Sequence, residues 1–187
     1  MKLYGSYTSP YVRHCRIALI DTHTPFEFIE TDAQASAQLS PTKRVPLLVD
    51  GDIQLTDSSS IVRYIREQAE QRFLPKVSDL EMFNLANTVM DTCANIFFIN
   101  KYDGITPEQS AYLARQQSRV DSSLDALNQL SFNHQQPFHD GEIRLACVLA
   151  WGIFRERFSI DSRENLQNFL SQFEHYLPFT QTRPTSV

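Results

Sequence analysis

The run Pro46-Leu47-Leu48-Val49, then Asp50-Gly51, then Asp52-Ile53-Gln54-Leu55 constrains the fold more than any other part of the chain. Two short β-compatible runs around Asp-Gly read as two strands joined by a tight hairpin. Upstream, residues 3–7 form a short strand, and Ser9 ahead of Pro10 marks a helix start, since Pro suits the first helical position and Ser the cap. Val12, Ile17, Ala18, Leu19 and Ile20 carry that helix to about Asp21. After Pro25, Phe26 and Phe28 with Glu27 and Glu30 nearby predict a second strand, parallel to the first because a helix intervenes. The polar stretch 32–44 reads as a short or irregular helix, and Asp57 or Ser58 caps a helix carrying Ile61, Val62, Tyr64 and Ile65. The order is βαβ, a short helix, then ββα, an α/β domain over residues 1–73.

From about residue 74 the pattern changes to helix alone. Residues 74–78 read as a linker and 79–187 as an all-helical domain. Phe83, Met90 and Phe97 recur every seven with Ala86 and Cys93 between them, which gives one amphipathic face. Leu113, Val120, Leu124 and Leu127 mark a second helix, residues 143–154 a helix apolar nearly all round, and Leu166, Phe169, Leu170, Phe173 and Leu177 a final stripe. Several functions are disfavoured at this level. The net charge of −5 would repel a phosphate backbone, so nucleic acid is not expected as a ligand. With 5 glycines in 187 residues, all isolated, there is no Gly-rich phosphate loop. No apolar run reaches signal-peptide or membrane-spanning length, so a cytoplasmic protein without a membrane partner is expected. Cys15, Cys93 and Cys147 are odd in number and far apart, and read as free thiols. His134 and His139-Asp140 read as solvated loop residues, and no metal is expected.

Three motifs, in this order and spacing, resemble the glutathione S-transferase superfamily in its bacterial branch: Ser9-Pro10-Tyr11-Val12-Arg13 with Arg16-Ile17-Ala18-Leu19 following, Arg44-Val45-Pro46-Leu47-Leu48, and Leu55-Thr56-Asp57-Ser58-Ser59-Ser60-Ile61. The tail 179–184 fits as well, so the likeness covers essentially the whole chain. The resemblance implies a thioredoxin-like N-terminal domain and an all-α C-terminal bundle, with glutathione as cosubstrate, a small hydrophobic electrophile as second substrate, and a homodimer. It also implies residue roles. Ser9, with Thr8 as second choice, would stabilise the glutathione thiolate, and Tyr11 would shape the pocket. Asp57 would face the γ-glutamyl ammonium and Ser58 its carboxylate. Val45 and Pro46, joined by a cis bond, would pair with the tripeptide backbone, and Arg44, or Lys43, would reach the glycyl carboxylate. Both anion-binding segments are helix starts, where free N–H groups and the helix dipole favour negative charge.

Where relatives carry the dithiol Cys-Pro-Tyr-Cys, this chain has Ser9-Pro10-Tyr11-Val12, so dithiol redox chemistry is disfavoured. Cys15 reads as a buried or flanking thiol, while Arg13, His14 and Arg16 either raise the local positive potential or face solvent or a partner. Tyr11, Phe97, Tyr102 and Trp151 are candidates for lining the electrophile pocket. The second domain departs from the family. Arg144 and Cys147 stand where a Ser or Thr cap and an Asp three residues later are expected, so the capping device of the core helix is lost or rebuilt. That departure leaves room for an alternative, a non-catalytic interaction or regulatory protein of the stringent-starvation type.

Overall fold

A computed structural model of the chain describes residues 1–132 and 135–184. The chain divides into two compact units, Met1–Phe73 together with Glu174–Val187, and Leu74–Phe173. The first unit is built on strands β1 (Lys2–Gly5), β2 (Glu27–Glu30), β3 (Leu47–Asp50) and β4 (Ile53–Leu55), with helices α1 (Pro10–Asp21), α2 (Ala33–Leu39) and α3 (Ser58–Gln68). The sheet order is β2-β1-β3-β4, with β1 and β2 parallel and β3 antiparallel to both its neighbours. This is the thioredoxin-like arrangement, and the Asp-Gly hairpin forms as the sequence predicts, with Gly51 at φ +57, a conformation that favours glycine. Leu3 and Leu48 on the sheet, Val12, Cys15 and Leu19 on α1, and Ile61, Val62 and Ile65 on α3 are all fully buried in one core. Arg66, near the end of α3, reaches the end of α1, where Nη1 donates to Asp21 at 2.6 Å.

The second unit consists of α4 (Val77–Asp103), a 3-10 turn (Pro107–Gln109), α5 (Ala111–Asn128), α6 (Asp140–Phe154) and α7 (Glu164–Gln172), with α4 packed on both α5 and α6. Phe83, Ala86, Met90 and Cys93 are buried, as are Leu113, Val120, Leu124 and Leu127. Residues 145–149 of α6 have no exposure at all, as a helix apolar all round requires. Among the described residues no helix is long and apolar enough to cross a membrane.

Two expectations change. The final stripe stops at Phe173, because a 3-10 turn (Phe173–His175) follows α7 and a separate short helix α8 (Leu177–Thr180) begins with Pro178 in its first turn, leaving Leu177 exposed. The segment from Glu174 then groups with the first unit instead of extending the helical domain to its end. Arg13 of α1 is the reason. Its Nη2 donates to the Phe179 carbonyl at 2.9 Å, its Nε to the Thr182 hydroxyl at 3.4 Å, and its guanidinium lies 3.7 Å over the Phe179 ring.

The cap of α6 is rebuilt, five residues upstream of where the family pattern placed it. His139 is the N-cap, its Nδ1 accepting from the N–H groups of Gly141 at 3.1 Å and Glu142 at 3.3 Å, while Glu142 accepts from the His139 N–H at 3.0 Å. Nδ1 is thus the unprotonated nitrogen, and Nε2 faces Asp79 of α4 at 3.7 Å and Glu142 at 3.6 Å. His139 is therefore not a solvated loop residue, and His134 lies outside the described residues. Arg144, which stands where the family pattern expects the cap, is fully buried with its guanidinium 4.6 Å from the Phe83 ring centre, and Cys147 is fully buried too. Gly141 lets the two helix starts approach, since a Cβ there would lie 2.6 Å from the Asp79 carbonyl oxygen. Because that neighbour is backbone, Gly141→Ala is expected to destabilise the protein by about 1–3 kcal/mol, read as a lower urea midpoint with an unchanged m-value.

Candidate functional site

The register of the sheet decides which loops meet. Tyr4 pairs with Leu47 across β1 and β3, and Leu48 with Leu55 across β3 and β4. The chain leaving β1 toward α1, the segment entering β3 and the segment leaving β4 toward α3 therefore emerge at one end of the sheet. Those three segments hold Thr8-Ser9, Arg44-Val45-Pro46 and Asp57-Ser58. Cys15 adds a direct tie from α1 to the start of α3, its thiol lying 3.9 Å from the Ser58 carbonyl, and it is fully buried as expected.

Ser9 is the half-buried N-cap of α1, and its Oγ accepts from the Val12 N–H at 3.4 Å. A hydroxyl has one proton and two lone pairs, so this role leaves the Ser9 proton free to be donated elsewhere. Thr8 is differently placed, its Oγ1 sharing a hydrogen bond of 3.1 Å with the Ser6 hydroxyl. The first turn of α1 carries no acidic side chain, so no carboxylate offsets the positive end of this helix. Tyr11 is half-buried in the same turn.

At the second segment the Val45-Pro46 peptide bond is cis. Pro46 is buried, and among the described residues neither the N–H nor the carbonyl of Val45 makes a hydrogen bond. Lys43 sits at φ +53, and Arg44 is exposed with no partner among the described residues. At the third, Asp57 caps α3 through Oδ1 alone, which accepts from Ser59 at 2.8 Å and Ser60 at 3.3 Å, so its second carboxylate oxygen remains available. Ser58 is buried at the first position of the helix.

The cationic residues of α1 do not point outward. Arg13 is committed to the C-terminal segment, and His14 is fully buried. Arg16 lies 4.8 Å from the Tyr7 ring centre and 5.1 Å from that of Phe28; burial lowers its pKa, against a smaller opposing effect of Tyr7. Of the pocket candidates on the helical unit, Phe97 packs edge-on against Trp151 at 6.3 Å, and Tyr102 is exposed and stacked on Phe98. Among the described residues no group of His, Cys, Asp and Glu is arranged to hold a metal.

Known proteins share this architecture. Residues 3–73 match the family described as the N-terminal domain of glutathione S-transferases. The chain is 36% identical over 141 residues, 68% of either length, to the uncharacterised GST-like protein YibF of Escherichia coli (strain K12). It is 26% identical over 175 residues to a glutathione S-transferase of Triticum aestivum, covering 85% of this chain and 80% of that one. A glutathione S-transferase structure from Methylobacterium radiotolerans, in complex with glutathione sulfonate, superposes with a TM-score of 0.85 at 21% identity over 100% of this chain and 95% of that one. One from Methylobacillus flagellatus with glutathione bound gives 0.86 at 20% identity, over 98% and 99%. Removing the α3 cap by Asp57→Ala is expected to cost about 0.5–2 kcal/mol, measured by thermal unfolding.

Proposed function

Because the chain belongs to the glutathione S-transferase superfamily, we propose that its first unit binds glutathione and that the Ser9 hydroxyl, keeping its proton, donates a hydrogen bond to the bound thiolate, which then attacks a small hydrophobic electrophile. The observation that carries this reading is the Ser9 hydroxyl itself, held at a helix start by an accepted hydrogen bond that leaves its proton free. The other segments supply what a tripeptide needs. The unpaired Val45 N–H and carbonyl match an extended peptide backbone, as in strand addition. The second oxygen of Asp57 suits an ammonium, the start of α3 at Ser58 suits a carboxylate, and Arg44, exposed and without a partner among the described residues, suits a second carboxylate. A thiol with a pKa of ~8.5 is only a few per cent ionised at neutral pH, and preferential binding of the thiolate by about 2.7 kcal/mol lowers that pKa by about two units. Ser9 is the first donor, since the Thr8 hydroxyl is engaged by Ser6. A cytoplasmic homodimer belongs to the same reading.

The non-catalytic alternative comes from the departure at Arg144 and Cys147; His139 and Glu142 cap α6 in place of the expected device, so the core helix is intact under either reading.

Ser9→Ala is expected to retain the protein on immobilised glutathione while lowering kcat/KM toward a chloronitroaromatic about tenfold or more and moving the midpoint of its pH–rate profile upward, toward the free thiol. Wild-type protein that is not retained on glutathione would sink the binding proposal; retention without turnover favours the interaction protein. Asp57→Asn keeps an effective cap, so its stability should stay within about 0.5 kcal/mol of wild type. Its loss of charge should still weaken glutathione binding several-fold by calorimetry, and unchanged affinity would remove Asp57 from the site.

A further inference from the structure

The helical unit carries a half-open cavity of about 220 Å3, remote in sequence from the segments assigned to glutathione. Its walls include Cys93, Ile96 and Asn100 of α4, Glu108 of the 3-10 turn, Gln117 of α5 and Arg157 just beyond α6. At ~30 Å3 per water it has the space of about seven waters, on the scale of a six-membered ring bearing one small substituent. Three of its polar side chains keep open hydrogen-bonding capacity. Among the described residues, neither terminal guanidinium nitrogen of Arg157 and neither side-chain amide, Asn100 or Gln117, has a hydrogen-bond partner.

Arg157 is half-buried and oriented. Its Nε donates to the Arg155 carbonyl at 2.5 Å and its guanidinium lies 5.5 Å from the Phe97 ring centre, so the stem is fixed while the two-pronged end is left open. A planar fork with two free N–H edges is matched by a carboxylate, which it binds through parallel hydrogen bonds. Two acids are nearby. Glu108 is exposed and held by the Thr106 hydroxyl, which lowers its pKa, and Asp121 is exposed. Water screens both more than it screens a half-buried guanidinium. The remaining wall is apolar. Ile96 is buried, and the Cys93 thiol is pushed up to about 12, chiefly by burial, so it stands as a neutral S–H.

We infer that this cavity binds a small monocarboxylate with an apolar body. The carboxylate lies on the Arg157 fork, with its spare lone pairs toward Asn100 and Gln117, and the apolar body lies against Ile96 and Cys93. No residue of this site is shared with Ser9, Val45-Pro46 or Asp57-Ser58, so the inference goes beyond glutathione binding and does not depend on it.

Isothermal titration of the full-length protein with cyclohexanecarboxylate, and with cyclohexanecarboxamide as the uncharged probe, tests the assignment. The carboxylate is expected to bind saturably with about millimolar affinity or tighter, the amide and the Arg157→Gln variant about tenfold or more weaker. Saturating glutathione should leave the carboxylate affinity unchanged. No saturable heat from the carboxylate with wild-type protein, equal affinity of Arg157→Gln, or displacement by glutathione would each overturn the site. Should Arg157→Gln fail to fold, Asn100→Trp, at an exposed helical position lining the cavity, is expected to block binding, and wild-type affinity in that variant would overturn the inference equally.

Discussion

The pairing of β3 between β1 and β4 is the constraint on which the first unit depends. Leu48 lies fully buried at the middle of this arrangement, opposite Leu3 on one side and Leu55 on the other. A slip of one residue would turn Leu48 out of the core and take Val45-Pro46 away from the loop that holds Ser9. The same burial that fixes the fold therefore fixes the site. The energetic work is done by apolar side chains of the core, and the polar groups at the sheet end are left with donors and acceptors that the fold itself does not consume.

Much of this was legible in the sequence because the local signals agree with one another. Asp50-Gly51 specified the hairpin, Ser9-Pro10 and Asp57 specified the helix starts, and the heptad of Phe83 and Met90 specified the buried face of α4. What escaped was chemistry outside the usual vocabulary. His139 is not a residue expected at a helix cap, and the family pattern points to Arg144 and Cys147 instead; the readable clue is Glu142, three residues after His139, the spacing of a capping box. The burial of Arg144 was equally hidden, since a lone arginine in an apolar run gives no sign that an aromatic face such as that of Phe83 will receive it. The apolar period does not mark the end of the last stripe, because Leu177 continues it although Pro178 cannot continue the helix.

Within the candidate site, the sequence suggests residues but not their availability. That Ser9 and Thr8 differ is a matter of which hydroxyl already has a partner, and that Asp57 caps with one oxygen while keeping the other is a matter of side-chain geometry. Hydrogen-bond accounting of this kind belongs to three dimensions, because each group's partner is set by the fold around it.

The clamp of Arg13 on Phe179 and Thr182 joins residues 166 and 169 positions apart. The first unit is thus discontinuous along the chain, with its sheet before the helical unit and α8 after it. During synthesis the sheet and its helices emerge before the helical unit, but the buried face of Arg13 waits for residues 179–182, with the whole helical unit produced in between. Closure of so long a loop also raises the contact order of the first unit well above what its short strands and tight hairpin would suggest. The part of the protein that carries the proposed chemistry begins to form before the helical unit and is completed after it.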